Sequence, residues 1–183
     1  MIRRCQSIDE LLEIGHLVYK CYLNNGYIDK NRYNLWLSHF QLLDDCEVYY
    51  MAINNKVVAT GSLCFSDKTG IPSMYSYKDI ISDKDKLAEV ICFASVGNIK
   101  NTITMMVFLG KRTYDLGYDY LLIEVKEKHT KFYSKFFGFK KIGGKRRHYQ
   151  VNEPVILMAL DMRDVLTIIN DKVYNRYVAS VLS

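Results

Sequence analysis

Apolar residues recur with helical spacing in several segments of the chain. The first segment begins with Ser7 and Glu10, which have the spacing of a capping box. Two later segments end before Gly117 and Gly138, and glycine commonly ends a helix. A weaker pattern predicts one short additional helix before the first long strand. The predicted helices cover residues 7–23, 33–40, 98–116, 126–137 and 164–182.

Runs of β-branched and aromatic residues predict the strands. Asn54 and Asn55 separate two such runs, and this pair tolerates the left-handed conformation of a tight hairpin turn. A third run carries Glu89 near its start. Besides a short strand at the start of the chain, the predicted strands are residues 47–53, 56–65, 87–96, 118–125, 139–144 and 154–162. This order of elements indicates a mixed α/β (α+β) domain around one central sheet.

The composition fits one compact domain, because 49% of the 183 residues are hydrophobic. No apolar run approaches the roughly 20 residues that span a bilayer, and the first residues are charged rather than an apolar signal. The cysteines are odd in number and widely spaced, so we expect free thiols in a reducing compartment. We therefore expect a cytoplasmic protein. The five cysteines are Cys5, Cys21, Cys46, Cys64 and Cys92.

The net charge of +5 is modest and lacks the concentrated basic stripe of a nucleic-acid-binding protein. The densest basic run is "KKIGGKRRH", residues 140–148. It forms either a solvated strand end or a surface for an acidic partner. The spacing of His16, His39 and His148 gives no reason to expect a metal site.

The most distinctive pattern lies between His129 and Met162. It reads "HTKFYSKFFGFKKIGGKRRHYQVNEPVILMALDM", with a His-x-x-Phe-Tyr helix, a Phe-Gly-Phe stop, a Tyr before Val-Asn-x-Pro and a strand ending in Leu-Asp. This pattern resembles the long-chain N-acyl amino acid synthases, which are relatives of the acyl-homoserine-lactone synthases in the Gcn5-related N-acyltransferase (GNAT) superfamily. Weaker similarity extends back to about Ile14.

The resemblance implies a single GNAT-like domain, with a central mixed, mostly antiparallel sheet flanked by helices. Residues 1–162 would form its core. Residues 163–183 lie beyond the resemblance, and their apolar stripe predicts an extra C-terminal helix that packs on the sheet or contacts a second copy in a homodimer. The resemblance also implies an acyltransferase that moves a long acyl group from an acyl carrier protein thioester to the amine of an amino acid or another small molecule. No permanently bound cofactor is expected.

Amide formation from a thioester needs a group that takes a proton from the amine and a group that protonates the leaving thiolate. The resemblance implies that Glu89 is the first group and Tyr133 the second. In the fold that this sequence resembles, the strands bearing Glu89 and residues 120–125 splay apart, and the pantetheine arm lies in the gap. The alternatives are that Glu89 pairs with a lysine or arginine and that Tyr133 is a core residue.

Further substrate contacts follow from the same resemblance. His129 either has a structural role, capping its helix or lying in a polar pocket, which we favour, or assists the thioester chemistry. The expected substrate-binding residues are Phe93, Ala94, Ser95, Val96, Glu124, His129 and Phe132. We expect four aromatic residues of the distinctive segment in the core: Phe132, Phe136, Phe137 and Phe139.

The donor is predicted from a missing motif. Acetyl-coenzyme A enzymes of this fold carry a glycine-rich loop whose amides hold the pyrophosphate, whereas this chain has "VGNIKNTIT" there. This favours acyl carrier protein over coenzyme A, although an acyl-CoA donor stays open. The acidic surface of a carrier protein would suit the basic residues Lys140, Lys141, Lys145, Arg146 and Arg147.

The chain departs from the family pattern at three places where arginine is expected. Gly15, Ser62 and Cys92 stand there instead. Arginine positions carboxylates through paired hydrogen bonds, so these replacements indicate either a different acceptor or a lost activity. Two further hypotheses therefore stand beside the carrier-dependent enzyme: a non-catalytic module that binds a lipid or a protein, and an acetyl-CoA-dependent N-acetyltransferase.

Overall fold

The computed structural model describes residues 1–82 and 84–169. Its helices are α1 (Ile8–Asn24), α2 (Ser73–Tyr77), α3 (Ile99–Asp115), α4 (Thr130–Phe137) and α5 (Met162–Ile169). Its strands are β1 (Ile2–Arg4), β2 (Glu47–Ile53), β3 (Lys56–Phe65), β4 (Leu87–Ser95), β5 (Tyr120–Val125), β6 (Lys140–Arg147) and β7 (Pro154–Asp161). Single 3₁₀ turns occupy His39–Leu42 and Glu127–His129.

The seven strands form one sheet in the order β1-β2-β3-β4-β5-β7-β6. Strands β4 and β5 are parallel, and α3 provides the crossover connection that a parallel pair requires. The other neighbouring strands are antiparallel. The expected central sheet, mixed and mostly antiparallel, is confirmed.

Helices cover both faces of this sheet. One face packs beneath α3, α4 and α5, with Leu109 and Phe137 in its core. The other packs beneath α1, α2 and the turn at His39–Leu42, with Ile14 and Tyr77 in its core. Within the described residues, no helix is long and apolar enough to cross a membrane.

Local sequence signals explain where α1 and the β2–β3 hairpin begin and end. The Ser7 hydroxyl accepts a hydrogen bond from the Glu10 amide at 3.2 Å, and the Glu10 carboxylate accepts one from the Gln6 amide at 2.7 Å. These bonds use amides that otherwise lack partners at a helix start. Asn54 and Asn55 have φ angles of 51° and 59°, as the tight turn requires. Both predictions are confirmed.

The prediction for the segment after α1 is wrong. The predicted helix at 33–40 is absent, and only the 3₁₀ turn His39–Leu42 forms there. Asn34 has a φ of 50°, which a right-handed helix does not allow. The Leu35 and Leu37 side chains instead pack against Gly15. A second difference concerns α2, which was not predicted from the sequence because its residues were expected to form a loop.

Two predictions near the C-terminal half need correction or extension. Phe136 was expected in the core, but 45% of it is exposed, because it lies on the outer side of α4. The last helix begins at Met162 rather than at Asp164. Its predicted continuation beyond Ile169 lies outside the described residues.

Candidate active site

A gap opens between the two parallel strands at the centre of the sheet. Strands β4 and β5 pair from Leu87 with Tyr120 to Val90 with Ile123, and the described pairing ends there. The second half of β4 remains paired only with β3 on its other side. Backbone groups of β4 that face β5 are therefore available to a ligand in the gap.

A β-bulge in β4 lies beside this gap. Cys92 has a φ of 49°, which is unusual for a residue other than glycine, and the register with β3 shifts between Thr60 and Ser62. Gly61 lies opposite the bulge, where a Cβ atom would come within 2.6 Å of the Leu109 side chain. Strained backbone of this kind is often found at functional sites.

The gap leads into a cavity of about 280 Å³. Its wall combines the second half of β4, the end of β5, the first turn of α4, the end of α1 and the loop after β6. The polar residues in the wall include Glu89, Glu124, His129, Tyr133 and His148. The cavity is open rather than filled by side chains, so it can hold part of a substrate.

Glu89 lines the cavity and is only 1% exposed. One carboxylate oxygen accepts hydrogen bonds from the Ser73 amide at 2.9 Å and from the Ser73 hydroxyl at 2.7 Å. Burial raises the pKa of Glu89 to about 7, although the two bonds from Ser73 oppose that rise. Such a carboxyl changes its protonation state near neutral pH, as a general base should.

Helix α2 positions the partner of Glu89. The Tyr77 hydroxyl donates to the carbonyls of Gly144 and Val155 at 2.9 and 2.8 Å. A Cβ atom at Gly143 would come within 2.6 Å of the Tyr77 ring, so this strand position must be glycine for the helix to pack closely. The Arg146 guanidinium adds a bond to the Ser76 carbonyl at 2.7 Å.

Tyr133 is on α4 and lines the same cavity from the opposite side of the gap. Burial raises its pKa well above the usual value, with a smaller contribution from Tyr27. The phenol therefore stays protonated while Glu89 ionises, so the cavity holds one acid and one base together. Helix α4 ends at Gly138, whose φ of 76° confirms the predicted helix stop.

Glu124 and His148 form a second polar pair in the cavity. The Glu124 side chain is 3% exposed, and its carboxylate lies 3.7 Å from His148 Nε2. Neither of its oxygens has a hydrogen-bond partner among the described residues. Burial, and then the charge of Glu89, raise the pKa of Glu124 to about 9.

The sequence matches the family model of the N-acyl amino acid synthase FeeM over residues 13–161. The chain belongs to the FeeM family. It is therefore an acyltransferase, and its GNAT-type sheet with the gap between β4 and β5 is the fold expected of one. A search of curated protein sequences finds no significant match.

Solved structures share the fold of this FeeM-family chain. FeeM itself, from uncultured soil microbes, has 21% sequence identity and a TM-score of 0.77, covering 91% of this chain and 98% of its own. The acyl-homoserine-lactone synthase LasI has 13% identity and a TM-score of 0.67, covering 91% and 92%. The CoA-dependent synthase BjaI has 10% identity and a TM-score of 0.69, covering 97% and 89%.

Most of the predicted substrate-binding residues of this FeeM-family chain lie in the wall of one cavity. Those in the wall are Phe93, Ala94, Ser95, Glu124, His129 and Phe132. Val96 is outside it, and its amide donates to the Val58 carbonyl at 2.9 Å. His129 stands at the N-cap of α4, but its side chain makes no capping hydrogen bond, and the residue lines the cavity.

The predicted carrier-docking residues lie on the edge strand β6, and several already have partners. Arg146 pairs with Asp79 through both ends of its guanidinium, which ties β6 to the end of α2. Lys145 lies 3.6 Å from Glu127. Lys140 lies 3.3 Å from Asp164. Arg146 is thus partly a structural residue, whereas Lys141 and Arg147 are exposed.

Neutral groups surround the three positions where the family pattern has arginine. The Leu35 and Leu37 side chains fill the space beside Gly15. The Ser62 hydroxyl accepts a hydrogen bond from the buried Gln41 amide at 3.0 Å. Cys92 forms the bulge, and burial raises its pKa to about 12, so it is an unreactive thiol.

Sequence reasoning missed Ser73, His148 and three aromatic residues of the wall: Tyr22, Tyr27 and Trp36. Ser73 falls in a five-residue helix, which is too short to show a periodic pattern. His148 directly precedes the Tyr149 of the family motif, and this position was the available signal.

Proposed function

We propose that this acyltransferase forms an amide by moving an acyl group from an acyl carrier protein thioester to the amine of an amino acid or another small molecule. The main support is that Glu89 and Tyr133 line one cavity at the point where β4 and β5 separate. The five free cysteines also fit an enzyme of the cytoplasm, where carrier proteins are loaded.

The proton balance of the reaction assigns a task to each of the two groups. An ammonium group that becomes an amide loses two protons while the N–C bond forms and the C–S bond breaks. One proton goes to Glu89 and then to solvent, and the other ends on the leaving sulfur, which Tyr133 protonates. Beyond Val90, the backbone N–H groups of β4 that face β5 have no partner in that strand, and they can stabilise the oxyanion.

Replacing Tyr133 by phenylalanine should lower kcat about 10- to 100-fold, because the thiolate then leaves without a proton donor. The KM for the acyl donor should change little. Thiol release from an acyl thioester, followed with a thiol reagent, measures both constants. Tyr114→Phe is the matched control, since Tyr114 is exposed on α3 and should leave both unchanged. An unchanged kcat for Tyr133→Phe would remove the acid role.

The start of α3 supports a carrier protein as the donor. The Asn98 side chain already accepts a hydrogen bond from the Lys100 amide at 3.0 Å, so this amide is not available to a pyrophosphate. On β6, Lys141 and Lys145 lie opposite Met158 and Ile156, which belong to the core beneath α3, α4 and α5. Lys141 and Lys145 are therefore on the side of the sheet that carries Tyr133.

Replacing Lys141 and Arg147 together by glutamate should raise the KM for an acyl carrier protein donor about tenfold, because an acidic partner then meets like charge. The KM for the same acyl group on pantetheine should stay the same. A double exchange of Lys20 and Lys56, both exposed elsewhere, is the charge-matched control. An equal effect on both donors would exclude this docking surface, and faster turnover with acyl-CoA would favour the alternative donor.

The non-catalytic alternative predicts binding without turnover. The open cavity and the pairing of a base with an acid inside it favour catalysis over that alternative. Purified protein that binds an acyl thioester but releases no thiol with any amine would support it instead.

A further inference from the structure

The cavity contains acidic groups but no permanent cation. Among the described residues that line it, none is lysine or arginine. The carboxyl groups are those of Glu89 and Glu124, both buried. An amino-acid acceptor would bring its own carboxylate into this space, where no lysine or arginine of the wall would offset the cost of removing it from water.

The two imidazoles of the wall do not replace such a cation. His148 Nδ1 accepts hydrogen bonds from the Gln150 and Val151 amides at 3.0 and 3.2 Å, so its proton is on Nε2, facing Glu124. Burial lowers the pKa of His148 to about 4. Burial and nearby lysines also lower the pKa of His129. Both rings are therefore neutral at physiological pH.

Lys126 directly follows β5, but its ammonium group is already bound. It donates to the Asn25 carbonyl at 2.5 Å and lies 3.4 Å from the Glu153 carboxylate. It also lies over the Tyr27 ring, 4.5 Å from its centre. This lysine is not part of the cavity wall.

The remaining wall suits a cation with an apolar body. Tyr22 lies between Tyr27 and Trp36, with ring centres 5.2 and 6.3 Å away. Faces of such rings attract an ammonium group, and their surfaces pack against hydrocarbon. Glu124 supplies a buried carboxyl group whose oxygens have no hydrogen-bond partner among the described residues. It holds a proton while the cavity is empty, and an ammonium group bound beside it would favour its ionised form and pair with it.

We propose that the acceptor is a primary amine without a carboxylate, such as an arylalkylamine, and that Glu124 binds its ammonium group. This inference rests on the proposed function and specifies its substrate class. Glu124 holds the amine, and Glu89 and Tyr133 handle the two protons that amide formation moves.

Fluorescence of the single tryptophan tests this directly, because Trp36 lies in the cavity wall. The ligands are phenethylamine, phenylalanine and phenylalaninamide, which share the aromatic body and differ in the carboxyl group. We expect the amine and the amide to bind at least tenfold more tightly than the amino acid near neutral pH. Equal or tighter binding of phenylalanine would overturn the proposal.

Glu124→Gln removes the group that can ionise beside an ammonium ligand and keeps the size of the side chain. It should weaken binding of phenethylamine about tenfold or more and leave phenylalanine no weaker than before. Glu13→Gln, exposed on α1, is the matched control and should bind as the unaltered protein does. An unchanged Kd for phenethylamine in Glu124→Gln would contradict the assigned role of this residue.

Thiol release with the same three compounds separates this inference from the proposed function. Faster acylation of the amine than of the amino acid supports both. Faster acylation of phenylalanine overturns only the inference. Selective binding of the amine without thiol release from any acceptor overturns only the proposed function. If no ligand binds and no thiol is released, both the inference and the proposed function are overturned.

Discussion

Glu89→Gln is expected to lower kcat for acyl transfer about 100-fold or more, because the amide of glutamine cannot take the proton from the attacking amine. Fold and cavity should persist, since the exchange keeps the side-chain volume and the bond from the Ser73 amide. In the unaltered enzyme kcat should rise with pH through about 7, where Glu89 ionises. In the variant this rise should be absent.

Ser73→Ala distinguishes a base from a structural carboxylate. It removes the 2.7 Å hydrogen bond that stabilises the ionised form of Glu89. The pH midpoint should move upward, while kcat at high pH stays near that of the unaltered enzyme. Steady-state rates across the pH range, at saturating amine, measure both effects. A Glu89→Gln enzyme within threefold of full activity would exclude Glu89 as the base.

The fold could be predicted from the sequence because most of its signals are local. The capping residue Ser7, the turn pair Asn54-Asn55 and the glycine stop at Gly138 each act within a few residues. The strands followed from their runs of β-branched and aromatic residues. Helix α2 escaped prediction because its position depends on contacts of Tyr77 with strands that lie about 70 residues later.

The catalytic pair was predictable only through the family resemblance. A glutamate in an apolar strand and a tyrosine in an aromatic helix are compatible with core roles, and nothing in their spacing brings them together. Both residues line the cavity at the gap between β4 and β5, and no local pattern indicates that gap or the φ of 49° at Cys92 beside it. Their shared cavity is a tertiary property.

The hydrogen bonding inside the cavity could not be predicted from the sequence either, because it is also a tertiary property. Glu124 was expected to bind substrate, but its lack of a hydrogen-bond partner depends on what lies around it. The orientation of His148 depends on backbone amides of the following loop. The missing arginines at Gly15, Ser62 and Cys92 suggested another acceptor. The groups that line the cavity indicate the chemical class of that acceptor.

Glu124→Gln should make the protein more stable at alkaline pH, which is the opposite of its expected effect on amine binding. The pKa of Glu124 rises from 4.5 to about 9 in the folded state, mainly because the side chain is buried. Between these values the folded protein keeps a proton that the unfolded chain releases. The free energy of unfolding therefore falls as pH rises through this range.

Glutamine does not titrate, so the variant avoids this loss. Its gain in the free energy of unfolding should be about 2–4 kcal/mol at about pH 8 and close to zero at about pH 4. For a chain of this size that gain corresponds to an increase in Tm of about 5–10 °C. Thermal unfolding of both proteins at the two pH values measures the difference, with Glu13→Gln as the exposed control.

Glu89 changes the free energy of unfolding in the same direction, but only up to about pH 7. A difference between the proteins that continues to grow above this pH is therefore specific to Glu124. Parallel stability curves would contradict its burial as an unpartnered carboxyl group. An ammonium ligand beside Glu124 would favour its ionised form, so a bound amine should reduce this loss of stability at alkaline pH.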